Sequence, residues 1–235
     1  MISIPHIFAI SCSLLLSAQS LSNTPTDLLY LGQANMSSPI EPAGSQGAYG
    51  FRLGLGGQFT PYSTTHELNG GLHLQKNQQN NEVGFIPKIY WSKGLNIPVN
   101  FGLEWGKTQS DAELWSGYIQ WTAFEKIKWP AIALRAGLNK LTGYAERELT
   151  SSQVGGIISY GFLKFFDLFY SYQASHNTGR MHSIGEDITN YEWVEVSQTE
   201  GIEITIYPPF LRAAFEHTSS VNGFDTYRSK IAYLF

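Results

Sequence analysis

The sequence predicts an all-β chain: an antiparallel up-and-down transmembrane β-barrel of about 10 strands, preceded by a leader and a short irregular or helical segment. Three observations carry that expectation. From Ala48 onward apolar residues recur with a period of two, in runs of roughly ten residues that suit a tilted membrane-crossing strand. The connections alternate between tight turns and longer polar stretches, the asymmetry of a barrel with one short-turn rim and one long-loop rim. Charged residues make up 14% of the chain, against roughly 25% in soluble domains, and glycine (23), tyrosine (13), phenylalanine (14) and tryptophan (6) fill the deficit. That mixture suits a sheet with two unlike faces.

Residues 1–20 read as a secretory signal peptide. Ile7 to Leu16 has the length of its apolar region, and Ala18-Gln19-Ser20 offers a small-x-small cleavage site. The basic residues usual at the start of a leader are missing, with His6 alone in their place, so an unusual leader or a misplaced start codon is expected. Cys12, the one cysteine, lies inside this stretch, and a lipoprotein reading of Ala9-Ile10-Ser11-Cys12 is weakened by Leu14, Leu15 and Leu16 beyond it. A mature chain without cysteine fits an oxidising envelope compartment. Residues 21–47 are rich in proline, serine and glycine, with one helix-compatible piece from Thr26 to Asn35. They are expected in the periplasm or as a plug in the barrel mouth. Residues 48–235 form the barrel.

Tyr49, Phe51, Leu53 and Leu55 alternate with Gly50, Arg52, Gly54 and Gly56, which makes the first strand. Thr60 to Glu82 is polar, although Glu67 to Gln75 could add a strand; with a partner at Asp27 to Ala34 the count becomes 12. Gly70-Gly71 interrupts that piece, so ten is preferred. Four strand–turn–strand units follow: 84–107, turning at 93–98; 112–142, turning at 126–130; 153–175, turning near 163–165; and 192–218, turning at 207–209. Longer polar loops are expected at 108–111, 143–152, 176–190 and 219–224. The last strand runs from Asp225 to Phe235.

Lipid cannot satisfy a free sheet edge, so the sheet must close and one face must be apolar throughout. Val99, Phe101, Leu103 and Trp105 share that face, as do Ile132, Leu134, Ala136 and Leu138, and Ile202, Ile204 and Ile206. Trp91, Trp105, Trp115, Trp129, Tyr144, Tyr160, Tyr207 and Tyr233 fall near strand ends, where aromatic girdles sit. The other face carries both signs of charge, and its lumen-facing candidates are Arg52, Glu104, Arg135, Glu203, Arg212, Glu216, Arg228 and Lys230, with Lys88, Asn100, Gln120 and Asn139 beside them. In a narrow barrel such residues form a structural ion-pair network. Inward glycines (Gly50, Gly54, Gly56, Gly102, Gly137) would leave room for a narrow path for small polar solutes.

A net charge of -4 gives no basic field for nucleic acid. No G-x-S-x-G, H-E-x-x-H or phosphate-binding loop is present, and no catalytic residue, cofactor or metal site is expected. His66 and His73 lack an acidic companion motif. His176 and His182, near Glu186 and Asp187 in the longest expected loop, are the basis of an alternative: an outer-loop enzyme or adhesin on a barrel scaffold. A soluble β-sandwich is the other alternative.

Gly50-Phe51-Arg52-Leu53-Gly54, Trp91-Ser92-Lys93-Gly94-Leu95, Asn96-Ile97-Pro98-Val99-Asn100-Phe101-Gly102, Pro130 to Gly137 and Leu141-Thr142-Gly143 together resemble a family of uncharacterised Gram-negative outer-membrane β-barrel proteins. The resemblance runs from about Gly47 to the last residue and rests on strand–turn patterns. It implies a barrel in the outer membrane and transfers no functional residue. The closing strand, with Tyr233 and Phe235 on one face, resembles the signal read by the barrel-assembly machinery. The expected function is an integral outer-membrane barrel, structural or passing small polar solutes, in contact with outer-membrane lipid.

Overall fold

Ten strands run antiparallel, each hydrogen-bonded to the next, and the last pairs with the first to close a barrel. They are β1 Phe51–Phe59, β2 Phe85–Gly94, β3 Val99–Lys107, β4 Glu113–Phe124, β5 Ala131–Tyr144, β6 Arg147–Phe162, β7 Phe166–Met181, β8 Thr189–Tyr207, β9 Leu211–Ser220 and β10 Asp225–Leu234. The computed structural model describes residues 32, 40–48, 50–60, 85–107, 112–144, 147–162, 165–181, 189–207, 210–221 and 225–235. Closure runs from Arg52 opposite Leu234 to Phe59 opposite Tyr227, and Phe235 N–H donates to Phe51 O at 2.9 Å. This excludes the two-sheet sandwich. The segment Glu67 to Gln75, with the twelve-strand alternative, and the leader lie outside the described residues.

Period-two alternation sets the faces. Arg52, Lys88, Asn100, Glu104, Gln120, Arg135, Asn139, Glu203, Glu216, Arg228 and Lys230 are buried inside. Outside, Leu55 is 66% exposed, Leu138 67% and Phe215 54%, in a belt with no charged residue at mid-height. On β6 the belt extends from Val154 to Phe162, roughly 20 Å once strand tilt is allowed for. Aromatic rings line its short-turn edge in contact: Trp91 with Phe101 at 5.2 Å, Phe51 with Phe235 at 5.4 Å, Tyr233 with Phe235 at 4.7 Å and Phe210 with Tyr233 at 5.9 Å. At the far edge Trp105 lies 6.3 Å from Trp115.

The described parts of two expected loops, 143–152 and 176–190, are strand. The β5–β6 connection is residues 145–146 alone, with Tyr144 opposite Arg147 and Gly143 at φ 81, a left-handed conformation that glycine tolerates. β7 runs on to Met181 and β8 begins at Thr189, so His176 sits on a strand. These wall extensions rise above the belt, where Thr178 and Arg180 face out and Asn177 faces in. Both faces are polar there, so the hydrophobic alternation that marks a strand fades.

The inward glycines do not leave the expected room. A Cβ on Gly54 would overlap the Tyr90 phenol, one on Gly102 the Tyr118 ring, and one on Gly50 the Gln46 backbone. Gly137 is closed off by Gln153, and Gly56 by the β10 backbone. Each glycine accommodates a neighbour rather than a water path.

Candidate functional site

The lumen is the candidate site, and its charges are paired. Arg52 on β1 and Arg212 on β9 converge on Glu203 of β8, with Nη1 to carboxylate oxygens at 3.1 and 2.6 Å. Lys88 reaches Glu104 across β2 and β3 at 2.6 Å, and its ammonium also donates to Gln58 Oε1 at 2.5 Å. Arg228 and Lys230 flank Glu216 at 3.2 and 3.9 Å. Arg135 lies over the Tyr118 ring, 3.7 Å from its centroid, where the ring quadrupole attracts a desolvated guanidinium. All eight candidates read from the sequence therefore face the lumen, Arg212 at the more open short-turn rim. Which charge meets which is set by register across strands distant in sequence, and that the sequence did not reveal.

The lumen is also occupied by the chain itself. Residues 40–48 lie within it as an irregular strap, and barrel side chains hold the strap's backbone. Ile40 N–H donates to Glu216 Oε2 at 3.2 Å, while Lys230 Nζ donates to Ile40 O at 3.1 Å. Gln120 Nε2 donates to Pro42 O at 2.9 Å and Thr122 Oγ1 to Ala43 O at 2.7 Å. Ala43 N–H donates to Ser159 Oγ at 2.8 Å, Gln46 N–H to Asn100 Oδ1 at 3.1 Å and Ser45 N–H to Glu125 Oε2 at 3.0 Å. Lys93 Nζ donates to Ala48 O at 2.8 Å at the short-turn rim. Buried backbone groups need partners, and here the wall provides them.

Two side chains of the strap add to this. Ile40 and Ala43 pack with Ala131, Ala133, Ile157 and Phe169, an apolar patch on the inner wall. Burying Ile40 fully contributes about 2 kcal/mol. Ser92 Oγ donates to Glu41 Oε1 at 2.8 Å, Gln46 Nε2 donates to the other carboxylate oxygen, and Arg52 lies at 3.9 Å. Burial pushes the Glu41 carboxyl up, but Arg52, Lys230 and the Ser92 hydroxyl outweigh it, so the group titrates below its ordinary range. Deeper in the lumen Gly32, helical and buried, lies so close to Trp193 that a Cβ there would come within 2.8 Å of the indole.

The strap's sequence has no periodicity, and its partners lie up to 190 residues away. Ile157 and Phe169, apolar on the polar-facing parity, were the available hint of an internal guest. Beside the strap, at the short-turn mouth, a cavity of about 360 Å³ is lined by Arg52, Arg212, Asp167 and Trp129 among others. His176 faces outward, its Nε2 at 4.0 Å from Glu192, both exposed. His66, His73, His182, Glu186 and Asp187 lie outside the described residues. Among the described residues there is no cluster of three or more metal-ligating side chains, and no helix long and apolar enough to cross a membrane.

No protein-family model matches the chain, and no curated protein does. Solved structures match in overall shape. The N-terminal β-barrel domain of Pseudomonas aeruginosa OprF is similar over 81% of this chain and 100% of its own, at 8% identity and a TM-score of 0.43. The KdgM porin covers 78% of this chain and 99% of its own at 8% identity and 0.41. Ail, the attachment invasion locus protein of Yersinia pestis, covers 79% and 97% at 12% identity and 0.37. Likenesses this weak transfer no function to this chain.

Proposed function

We propose that this chain is an integral barrel of a Gram-negative outer membrane whose bore is closed by its own segment 40–48, and that it passes small polar solutes, narrowly, when that segment is drawn aside. One observation carries the reading. The outer surface is an uncharged apolar belt edged by aromatic rings, while the ions and the strap share the inside. Only lipid makes such an exterior favourable over ten strands. The termini of the barrel and the short turns would then face the periplasm, with the taller β5–β8 wall outside the cell. Fractionation tests the location. The protein should stay with outer membranes through alkaline washing and migrate faster unboiled than boiled on a denaturing gel. Recovery in the soluble periplasm would overturn the reading.

A further inference from the structure

At the short-turn mouth of the bore, the cavity of about 360 Å³ lies between the strap and the ends of β5, β6 and β7. Its size falls in the range that takes a small ligand, roughly 300–1,000 Å³. Its floor is Gly161, inward on β6, with Asp167 of β7 directly opposite. Among the described residues, a Cβ on Gly161 would meet only Asp167 Oδ1, at 3.0 Å, so that carboxylate leans over the glycine and the rest of the floor is open. On the other side stands the β4–β5 turn, where Trp129 N–H donates to Lys126 O at 3.1 Å. Ala131 pairs with Ser159, two residues before Gly161, so Trp129 and Asp167 flank the glycine from either side. Two cations of the lining are already engaged: Arg52 and Arg212 meet Glu203, and Arg52 also lies 3.9 Å from Glu41. Lys126, Lys128, Glu125 and Asp167 line the same cavity, and among the described residues no ion pair engages any of the four. Glu125 holds the Ser45 N–H of the strap.

Two local rules are broken around this cavity. Lys128 has φ 69, the left-handed conformation that glycine or asparagine takes at the third position of such a turn. Asp167 stands directly opposite Glu203, and like charges facing each other across neighbouring strands destabilise a sheet. Local costs of this kind gather where a side chain serves something other than the fold. We propose that the cavity binds a short zwitterionic peptide, its ammonium on Asp167 and its carboxylate on Lys128. The charges select the class. Two unengaged groups of each sign face one small space, so a lone anion meets Asp167 and Glu125, a lone cation meets Lys126 and Lys128, and a zwitterion satisfies both pairs. The spacing selects the length. Trp129 and Asp167 lie two strands apart, about 10 Å of wall from which their side chains and that of Lys128 reach over Gly161. An extended dipeptide carries its terminal charges about 7 Å apart. A free amino acid holds both on one carbon, too close to meet both poles. Trp129, 66% exposed, adds apolar surface for the peptide's side chains. The inference rests on the barrel reading above and names the solute at its mouth.

The same two costs separate a binding role from a structural one. Lys128→Gly suits the left-handed backbone, and Asp167→Asn removes the like charge beside Glu203, so neither variant should weaken the fold. The test titrates Ala-Ala against the full chain in non-ionic detergent micelles by calorimetry. N-acetyl-Ala-Ala, Ala-Ala-amide and glycine are the contrasts: the first lacks the ammonium, the second lacks the carboxylate, and the third has both charges too close together. Heat-modifiable gel mobility first establishes that the barrel is intact. The expected result is saturable binding of Ala-Ala, at least tenfold tighter than that of any contrast. Lys128→Gly and Asp167→Asn should each weaken it at least tenfold while melting at or above the wild-type temperature. An intact barrel with no saturable Ala-Ala binding overturns the site. So does equal binding of any contrast, unchanged binding in either variant, or a lower melting temperature in both, which would make these side chains structural. A protein without heat-modifiable mobility brings down the barrel reading itself, and the site with it.

Discussion

Glu203 holds two guanidinium groups at once, and that fixes what its removal costs. Replacing a buried ion pair by apolar groups is often neutral, but removing one partner strands the other charge. With Glu203→Ala, Arg52 and Arg212 lose their common carboxylate, and a loss of roughly 3–5 kcal/mol is expected in urea unfolding. Arg52→Leu in the same background should recover part of it. Steric pairs behave differently. Gly102→Val drives a side chain into the Tyr118 ring and should cost about 1–3 kcal/mol, with Tyr118→Ala relieving the clash in a double-mutant cycle. Inward placement of Arg52, Glu104, Glu203 and Lys230 was legible because each residue along a strand flips to the other face. The function of the inward glycines was not, since whether Gly102 borders water or a tyrosine depends on β4 packing beside it.

The strap is the element on which the closed state depends, and its acid response follows from Glu41. The carboxyl titrates below its ordinary 4.5, so its contribution to docking is complete at neutral pH, where folded and released forms are both ionised. It is lost as pH falls through the lowered folded-state value. Closure should therefore be steady from pH 8 to about 5 and weaken only below about 4. Glu41→Gln should remove that acid step and loosen closure at neutral pH, read as channel openings in a planar bilayer. The strands themselves were readable wherever one face meets the apolar belt. Above it, from His176 to Arg180, outward and inward residues are both polar and the signal vanishes, so the sequence alone reads the tall ends of β7 and β8 as loops. The strap could be placed only as plug or periplasmic piece, because Ile40 to Ala48 binds through its backbone, and backbone recognition leaves almost no trace in side-chain pattern.

Taken whole, the molecule is a cylinder turned inside out relative to a soluble domain. Its apolar side chains face outward, its arginines, lysines and glutamates face inward, and its bore is filled by tyrosines and by the chain's own segment. The outward belt makes insertion favourable, and charge placed in it should not be tolerated: Leu134→Arg at mid-belt should cost about 2–4 kcal/mol in folding into lipid vesicles, whereas Lys140→Ala at the edge should cost little. Closure of the bore is the claim on which the account turns. It is tested most directly by single-channel recording of the purified barrel in planar bilayers, wild type beside a variant lacking residues 40–47. The wild type should be nearly silent at neutral pH and the deletion should show stable openings. Equal, steady conductance from both proteins would contradict the account.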